Sequence, residues 1–155
     1  MKKILSIIGS FFLVLVLLIA GFFLYASYQK RGLDASSKAY IEANVPPIVT
    51  GWSKDELVKR STPQFIKMFN ENPNQLNSFF KKLSKLGAMR SIDDVKGNVD
   101  VSVTTRDGKV IHALYLIYAT FENGKSIITI QLIQSPSIQW EINSFNINSP
   151  IFLND

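Results

Sequence analysis

Few side chains in this 155-residue sequence carry the chemistry of catalysis, and their spacing does not assemble it. There is one histidine, His112, and no cysteine. That removes thiol nucleophiles, zinc knuckles, iron–sulfur ligation, disulfide frameworks and a lipid-modified cysteine anchor. Acid–base work needs ionisable groups held on one face at tuned pKa values. Asp93 and Asp94 are consecutive, so in a strand they face opposite ways, and Asp100 alternates onto a polar face. His112 shares a strand face with Leu114 and Leu116 and reads as a hydrogen-bonded core or rim residue, while Tyr115 and Tyr118 fall on opposite faces. No Gly-rich phosphate loop, Gly-x-Ser-x-Gly elbow or metal-ligand spacing occurs. The sequence therefore predicts no catalytic residues, no cofactor and no metal.

Two sets of residues remain as candidates for binding. Lys81, Lys82, Lys85 and Arg90 form a basic stretch with no acid between Asn72 and Ile92. They read as a solvated helix face or as a contact for an anionic surface. The second set is Leu114, Leu116 and Tyr118 with Tyr115 and Ile117, in a strand whose two faces are both largely apolar. One face packs on the rest of the domain, and the other needs a cover, a pocket or a partner.

The formal net charge of +5 invites a nucleic-acid reading that its distribution withdraws. Lys2, Lys3, Lys30 and Arg31 flank an apolar segment, leaving thirteen basic against twelve acidic residues over 32–155, a net of +1. A nearly neutral domain has no overall electrostatic footprint for phosphate, so no nucleic-acid partner is expected.

That apolar segment, residues 4–28, carries no charge. As a helix it would extend roughly 37 Å, enough to cross a hydrocarbon core of about 30 Å with some tilt. Tyr25 and Tyr28 sit where an interfacial aromatic belt lies. A cleaved signal peptide needs a shorter apolar core and small residues before the cut. Cleavage after Ala26 or Ser27 would place Leu24 or Tyr25 at the −3 position, so an uncleaved anchor is expected. Flanking charges nearly balance; the short basic start favours a cytoplasmic N-terminus and an outward-facing remainder. The expected organisation is an anchor over 4–28, a juxtamembrane linker over 29–33, a roll-like domain over 34–150 and a tail over 151–155.

Within the domain, Asp34 is expected to cap a short helix through Asn44, ended by Pro46 and Pro47. Ser53 with Glu56 spells a capping box before a helix over 54–60, and Thr62 caps another with Pro63 in its first turn. Asn72 and Pro73 repeat the device before a helix whose Leu76, Phe79, Phe80, Leu83 and Leu86 share one stripe and which stops at Gly87. Beyond Gly87 the pattern is extended. A short strand is expected near 89–93, then strands over 98–106, 109–121, 125–134 and 138–147. Asp107-Gly108 and Asn123-Gly124 mark tight hairpin turns and Ser135-Pro136 a further break. Val99, Val101 and Val103 alternate with polar residues, giving the first long strand one wet face.

The fold class is thus α+β: an N-terminal transmembrane helix, short helices, and a curved antiparallel sheet of four to five strands. This order resembles the cone-shaped roll of the nuclear transport factor 2-like superfamily, and also fits a cystatin-like sheet wrapped on a helix. The pattern Pro47-Ile48, Trp52-Ser53, Leu57, Ser61-Thr62-Pro63, Leu86-Gly87, Ser102-Val103-Thr104-Thr105, Trp140-Glu141-Ile142, Phe145 and Asn148-Ser149-Pro150 looks like a family of short bacterial membrane-anchored proteins without an assigned activity. The resemblance implies fold and location and carries no catalytic residues across. A bitopic type IV secretion assembly component, which also joins one anchor to a roll of this superfamily, is an architectural analogue. The expected protein is a single-pass inner-membrane protein whose periplasmic or extracellular domain binds an envelope protein or a second copy of itself. The alternative is a small-molecule-binding or enzymatic roll. A Tyr-lined closed cavity with a buried ionisable group would favour the alternative; a filled interior and an exposed apolar sheet face would favour the interaction module.

Overall fold

The computed structural model describes residues 2–71, 73–104, 108–134 and 139–154. The chain divides into two units, Met1–Ala35 and Ser36–Asp155. One helix, α1 (Lys2–Val49), begins in the first unit and ends in the second. In the first unit its apolar side chains from Val14 to Leu24 are exposed, as are Tyr25 and Tyr28. Over Val14–Val49 α1 is long and apolar enough, by length and composition, to cross a membrane.

Two expectations for this helix are corrected. Residues 29–33 are helical, so Asp34 is an interior helical residue and caps nothing at an N-terminus. Pro46 and Pro47 lie inside the last turns, beyond the expected end at Asn44. A proline removes one backbone donor and costs roughly 3 kcal/mol in a helix interior. Against this, Ile41, Val45, Ile48 and Val49 are fully buried, at about 1.5 to 3 kcal/mol each. Tertiary packing outweighs the local stop signal. Thr50 N donates to the Pro46 carbonyl at 3.0 Å and Ser53 N to the Ile48 carbonyl at 2.9 Å, closing the end. Between them Trp52 takes a left-handed conformation, φ 48°, that costs a non-glycine residue about 1 to 2 kcal/mol. Its indole Nε1 donates to the Gly87 carbonyl at 2.8 Å and its ring stacks on Phe121 at 5.4 Å, which holds it there.

Helix α2 (Lys54–Lys59) starts at Ser53, whose hydroxyl accepts from Glu56 N at 3.3 Å. The reciprocal half of the capping box is not made, because Ser53 N is already engaged and the Glu56 carboxylate pairs with Arg60. Helix α3 (Pro63–Glu71) is capped as expected, with Phe65 N donating to Thr62 Oγ1 at 3.2 Å. Helix α4 (Pro73–Leu83) continues into a 3-10 turn, Ser84–Leu86. It buries Leu76, Leu83 and Leu86 and half-buries Phe79 and Phe80, and the chain leaves at Gly87 with φ 72°. Asn72, the expected cap of α4, lies outside the described residues.

Four antiparallel strands follow: β1 (Met89–Thr104), β2 (Gly108–Phe121), β3 (Gly124–Gln134) and β4 (Glu141–Asn148), in the order β1-β2-β3-β4. The protein is α+β with an open sheet. The short strand near 89–93 and the strand from Asn98 are one element, β1, with register irregularities at 89–91 and 92–94. The β2–β3 turn is Glu122-Asn123, one residue earlier than the Asn-Gly pair suggested, with Gly124 opening β3 opposite Phe121. Its backbone is claimed by the α4–β1 connection: Glu122 N donates to Ala88 O and Asn123 N to Leu86 O, both at 3.0 Å. The loop residues 105–107 and the break at 135–138 lie outside the described residues. At the far edge, Ile142 N donates to Arg60 O at 2.7 Å and Thr62 N to Ile142 O at 2.9 Å, a short parallel bridge that covers one end of β4.

Candidate functional site

Strand β2 decides which surface is available for binding. Its odd-numbered residues from Ile111 to Phe121 are buried, and Tyr115 and Ile117 are 0% exposed. Its even-numbered residues face outward, with Leu114 47% and Leu116 37% exposed and Tyr118 half-buried. Of the five residues expected to form an interaction face, Leu114, Leu116 and Tyr118 therefore share the open face. Tyr115 and Ile117 belong to the core and are removed from it. The Tyr115 hydroxyl meets Ser37 Oγ of α1 at 2.8 Å, a buried polar pairing that fixes the inner face against that helix.

Space for the Tyr115 ring comes from the neighbouring strand. Gly97 lies opposite Tyr115 in the ladder. A Cβ there would stand 2.0 Å from the Leu114 carbonyl oxygen and 2.5 Å from Tyr115 Cδ1. Only a residue without a side chain permits this approach.

The register builds the open face row by row. Asn98, Leu114, Gln131 and Ser144 lie abreast, then Lys96, Leu116, Thr129 and Asn146. An apolar ridge on β2 is thus flanked by charged and polar residues on β1 and by neutral polar residues on β3 and β4. The sequence held a signal for this choice of face. Counting back through the first hairpin puts Asp100 opposite His112 and Val99 opposite Ala113, so the polar residues of β1 accompany the even-numbered set of β2. Ala113 and Ala119 in the odd-numbered set are small enough to admit the helices. His112 is exposed on this face and is not a core residue.

At one end of the face lies a groove of about 610 Å³, lined among others by Asp93, Asp94, Lys96, Tyr118, Lys125 and Ile127. The expectation that Asp93 and Asp94 diverge is corrected here. The irregularity between Ile92 and Asp94 resets the alternation, so both carboxylates line one groove. Asp93 accepts from Ser91 Oγ and from Thr120 Oγ1, each at 2.7 Å, with Lys125 Nζ at 3.9 Å. Those two hydroxyl bonds, Ser91's first, with Lys125's charge, hold its carboxyl below the ordinary aspartate range. Asp94 pairs with Lys96 at 3.3 Å, and the Lys96 ammonium lies 5.1 Å from the centre of the Tyr118 ring. Each carboxylate is thus matched by its own lysine. A smaller groove of about 300 Å³ at the other end includes Asp100, His112 and Gln131.

Elsewhere, α3, α4 and β4 border an apolar groove of about 420 Å³ that includes Phe65, Met68, Phe79 and Phe145. A polar groove of the same volume holds Tyr40, Arg60 and Glu141. Burial, opposed by Arg60's charge and reinforced by Glu141's, raises the Tyr40 pKa above its ordinary value. The guanidinium of Arg60 is anchored by Asn44 Oδ1 at 2.8 Å and the Glu56 carbonyl at 2.9 Å, tying α1 to α2. Lys81, Lys82, Lys85 and Arg90 are all exposed, and Arg90 pairs with Glu122 at 2.9 Å. Among the described residues no three metal-capable side chains come together. No family model, curated protein or solved structure matches the chain.

Proposed function

We propose that this chain is a membrane-anchored binding module of the bacterial envelope, and that its partner, a protein, docks on the open face of the sheet. The observation that carries the reading is the asymmetry of β2. One face is sealed by packing, and the other presents Leu114 and Leu116 to solvent at the centre of a polar surround. An apolar centre within a polar rim is the anatomy of a protein interface, and an exposed aliphatic ridge on a regular sheet needs a counterpart. The anchor supports the same reading, since residues 4–28 are uncharged and α1 is long and apolar enough to span a bilayer. Placement of the domain outside the cytoplasm rests on the short basic start of the chain, and its bacterial setting on the sequence resemblance.

An enzymatic or small-molecule reading has less to work with. The inner face of the sheet carries Tyr115, Ile117, Ile128, Ile130 and Leu132, all fully buried. The test is photo-crosslinking in intact membranes from a photoreactive residue at Leu114. The expected result is a discrete protein adduct, absent when the same residue is placed at exposed Lys54. A set of adducts no different from that control would remove the open face as the docking surface. An adduct with a second copy of the chain would make the partner the protein itself.

A further inference from the structure

The two edges of the sheet are finished differently. The Glu122-Asn123 turn closes on the Phe121–Gly124 pair, and antiparallel alternation from that pair fixes which backbone groups point away from each edge. On β1 they belong to the odd-numbered residues from Val95 onward, and on β4 to Ile142, Phe145 and Ile147. Val95 N donates to Asp94 Oδ1 at 2.8 Å and Val101 N to Asp100 Oδ1 at 3.1 Å, so carboxylates guard the β1 edge against another strand. On β4, Ile142 is bridged to Arg60 and Thr62, and Ile147 N donates to Asn146 Oδ1 at 2.8 Å. Between them, the outward N–H and C=O of Phe145 have no hydrogen-bond partner among the described residues. Beside this open position runs the groove of about 420 Å³, with Phe65, Met68 and Phe79 on its helical side and Ser144, Phe145 and Asn146 on its strand side. Its described lining carries no charge, and Met68 is 52% exposed.

We infer that the groove between β4 and helices α3 and α4 binds an extended, uncharged polypeptide segment of a partner protein. The segment adds to β4 as a short strand at Phe145 and sets an apolar side chain among Phe65, Met68 and Phe79. The site is separate from the Leu114–Leu116 ridge, two strands away, and rests neither on that docking face nor on the anchor. Hydrogen bonding and charge both select this occupant. An unpaired donor and acceptor at a sheet edge are satisfied together by another backbone. A purely apolar small molecule would leave both unmet. A charged segment would bring its charge against a lining that offers no counter-charge. The volume lies within the range of about 300 to 1,000 Å³ usual for ligand sites. A second copy of the chain fits less well. Arg60–Thr62 already occupies the edge at Ile142, leaving only 143–148 for pairing, and the copy's β1 edge is guarded by Asp94 and Asp100. What remains accommodates a short segment.

The full chain, kept soluble with an amphipathic polymer, is offered two libraries of end-blocked hexapeptides. One is drawn from Val, Ile, Leu, Phe, Thr and Ser; the other carries Lys or Asp at two positions. The expected result is enrichment from the uncharged library alone, with the Phe145 amide resonance shifting and its hydrogen exchange slowing when the selected peptide is added. Met68→Asp, at an exposed position, should weaken binding about tenfold or more, whereas Lys54→Asp, on exposed surface elsewhere, should leave it unchanged. N-methylating the peptide's central amides tests the backbone pairing without altering the protein, and should also cost about tenfold. No enrichment, or enrichment from the charged library instead, would overturn the inference. Binding that leaves the Phe145 amide unmoved, or that N-methylation does not weaken, would show that the peptide is not held as a strand on β4 and would overturn it equally.

Discussion

Replacing Gly97 by Ala probes the packing that decides which face of the sheet is free. The new Cβ would meet the Leu114 carbonyl oxygen at 2.0 Å, Tyr115 Cδ1 at 2.5 Å and Tyr115 Cα at 2.8 Å. Two of those three atoms are backbone, so no side-chain rotation relieves the clash and β1 must move away from β2. Overpacking costs about 1 to 3 kcal/mol, and each ladder bond stretched by the movement adds about 1 kcal/mol. Displacing Tyr115 also strains its 2.8 Å contact with Ser37. A loss of about 3 kcal/mol is expected, which in a domain of this size lowers Tm by roughly 12 °C. Gly51→Ala is the control, because a Cβ there meets nothing within 4 Å. Both tryptophans, Trp52 and Trp140, lie in the second unit, so their fluorescence follows its unfolding without interference from residues 1–35. If Gly97→Ala melts together with Gly51→Ala, Tyr115 does not pack across β1 as described, and the assignment of faces fails with it.

Further outcomes follow from individual contacts. Ser126 Oγ is buried with no hydrogen-bond partner among the described residues, so Ser126→Ala should leave the melting temperature unchanged or raise it by a few degrees; a clear loss would reveal a partner. The pKa of Asp93 is lowered, so its contribution to stability is complete above the unfolded value and is lost as pH falls through the lower folded value. Thr120→Val removes one of the two hydroxyl bonds and should raise the carboxyl's titration midpoint toward the ordinary aspartate value by NMR; an unmoved midpoint would show that the bond does not matter. Protease added to spheroplasts should remove the C-terminal domain while the untreated chain fractionates with membranes. A protected domain would reverse the proposed orientation, and a shortened mature N-terminus would remove the anchor.

Local signals were legible where nothing competed with them. Ser53 and Thr62 start helices, and the apolar stripe of α4 through Leu83 and its exit at Gly87 stand as the spacing predicts. Signals failed where tertiary contacts reclaimed the same atoms. The burial of Val45, Ile48 and Val49 carries α1 through two prolines, and the β2–β3 turn shifts because Ala88 and Leu86 accept its backbone donors. The irregularity at Ile92–Asp94 has no mark in composition, so the convergence of Asp93 and Asp94 was invisible to alternation. The face of β2 was ambiguous because both sets of its side chains are apolar. Only the cross-strand register, with Asp100 beside His112, separates them.

A charge placed on each face of β2 tests the central claim most directly. Ile117→Asp buries a carboxylate without a partner, at a cost of several kcal/mol, and should abolish cooperative unfolding. Leu116→Asp, one residue away but on the open face, should lose only about 1 to 2 kcal/mol and still unfold cooperatively. The decisive measurement is recovery of crosslinked partner from intact membranes carrying Leu116→Asp. The account predicts a folded, membrane-bound chain that has lost its partner; a folded chain that retains the partner undiminished would contradict it.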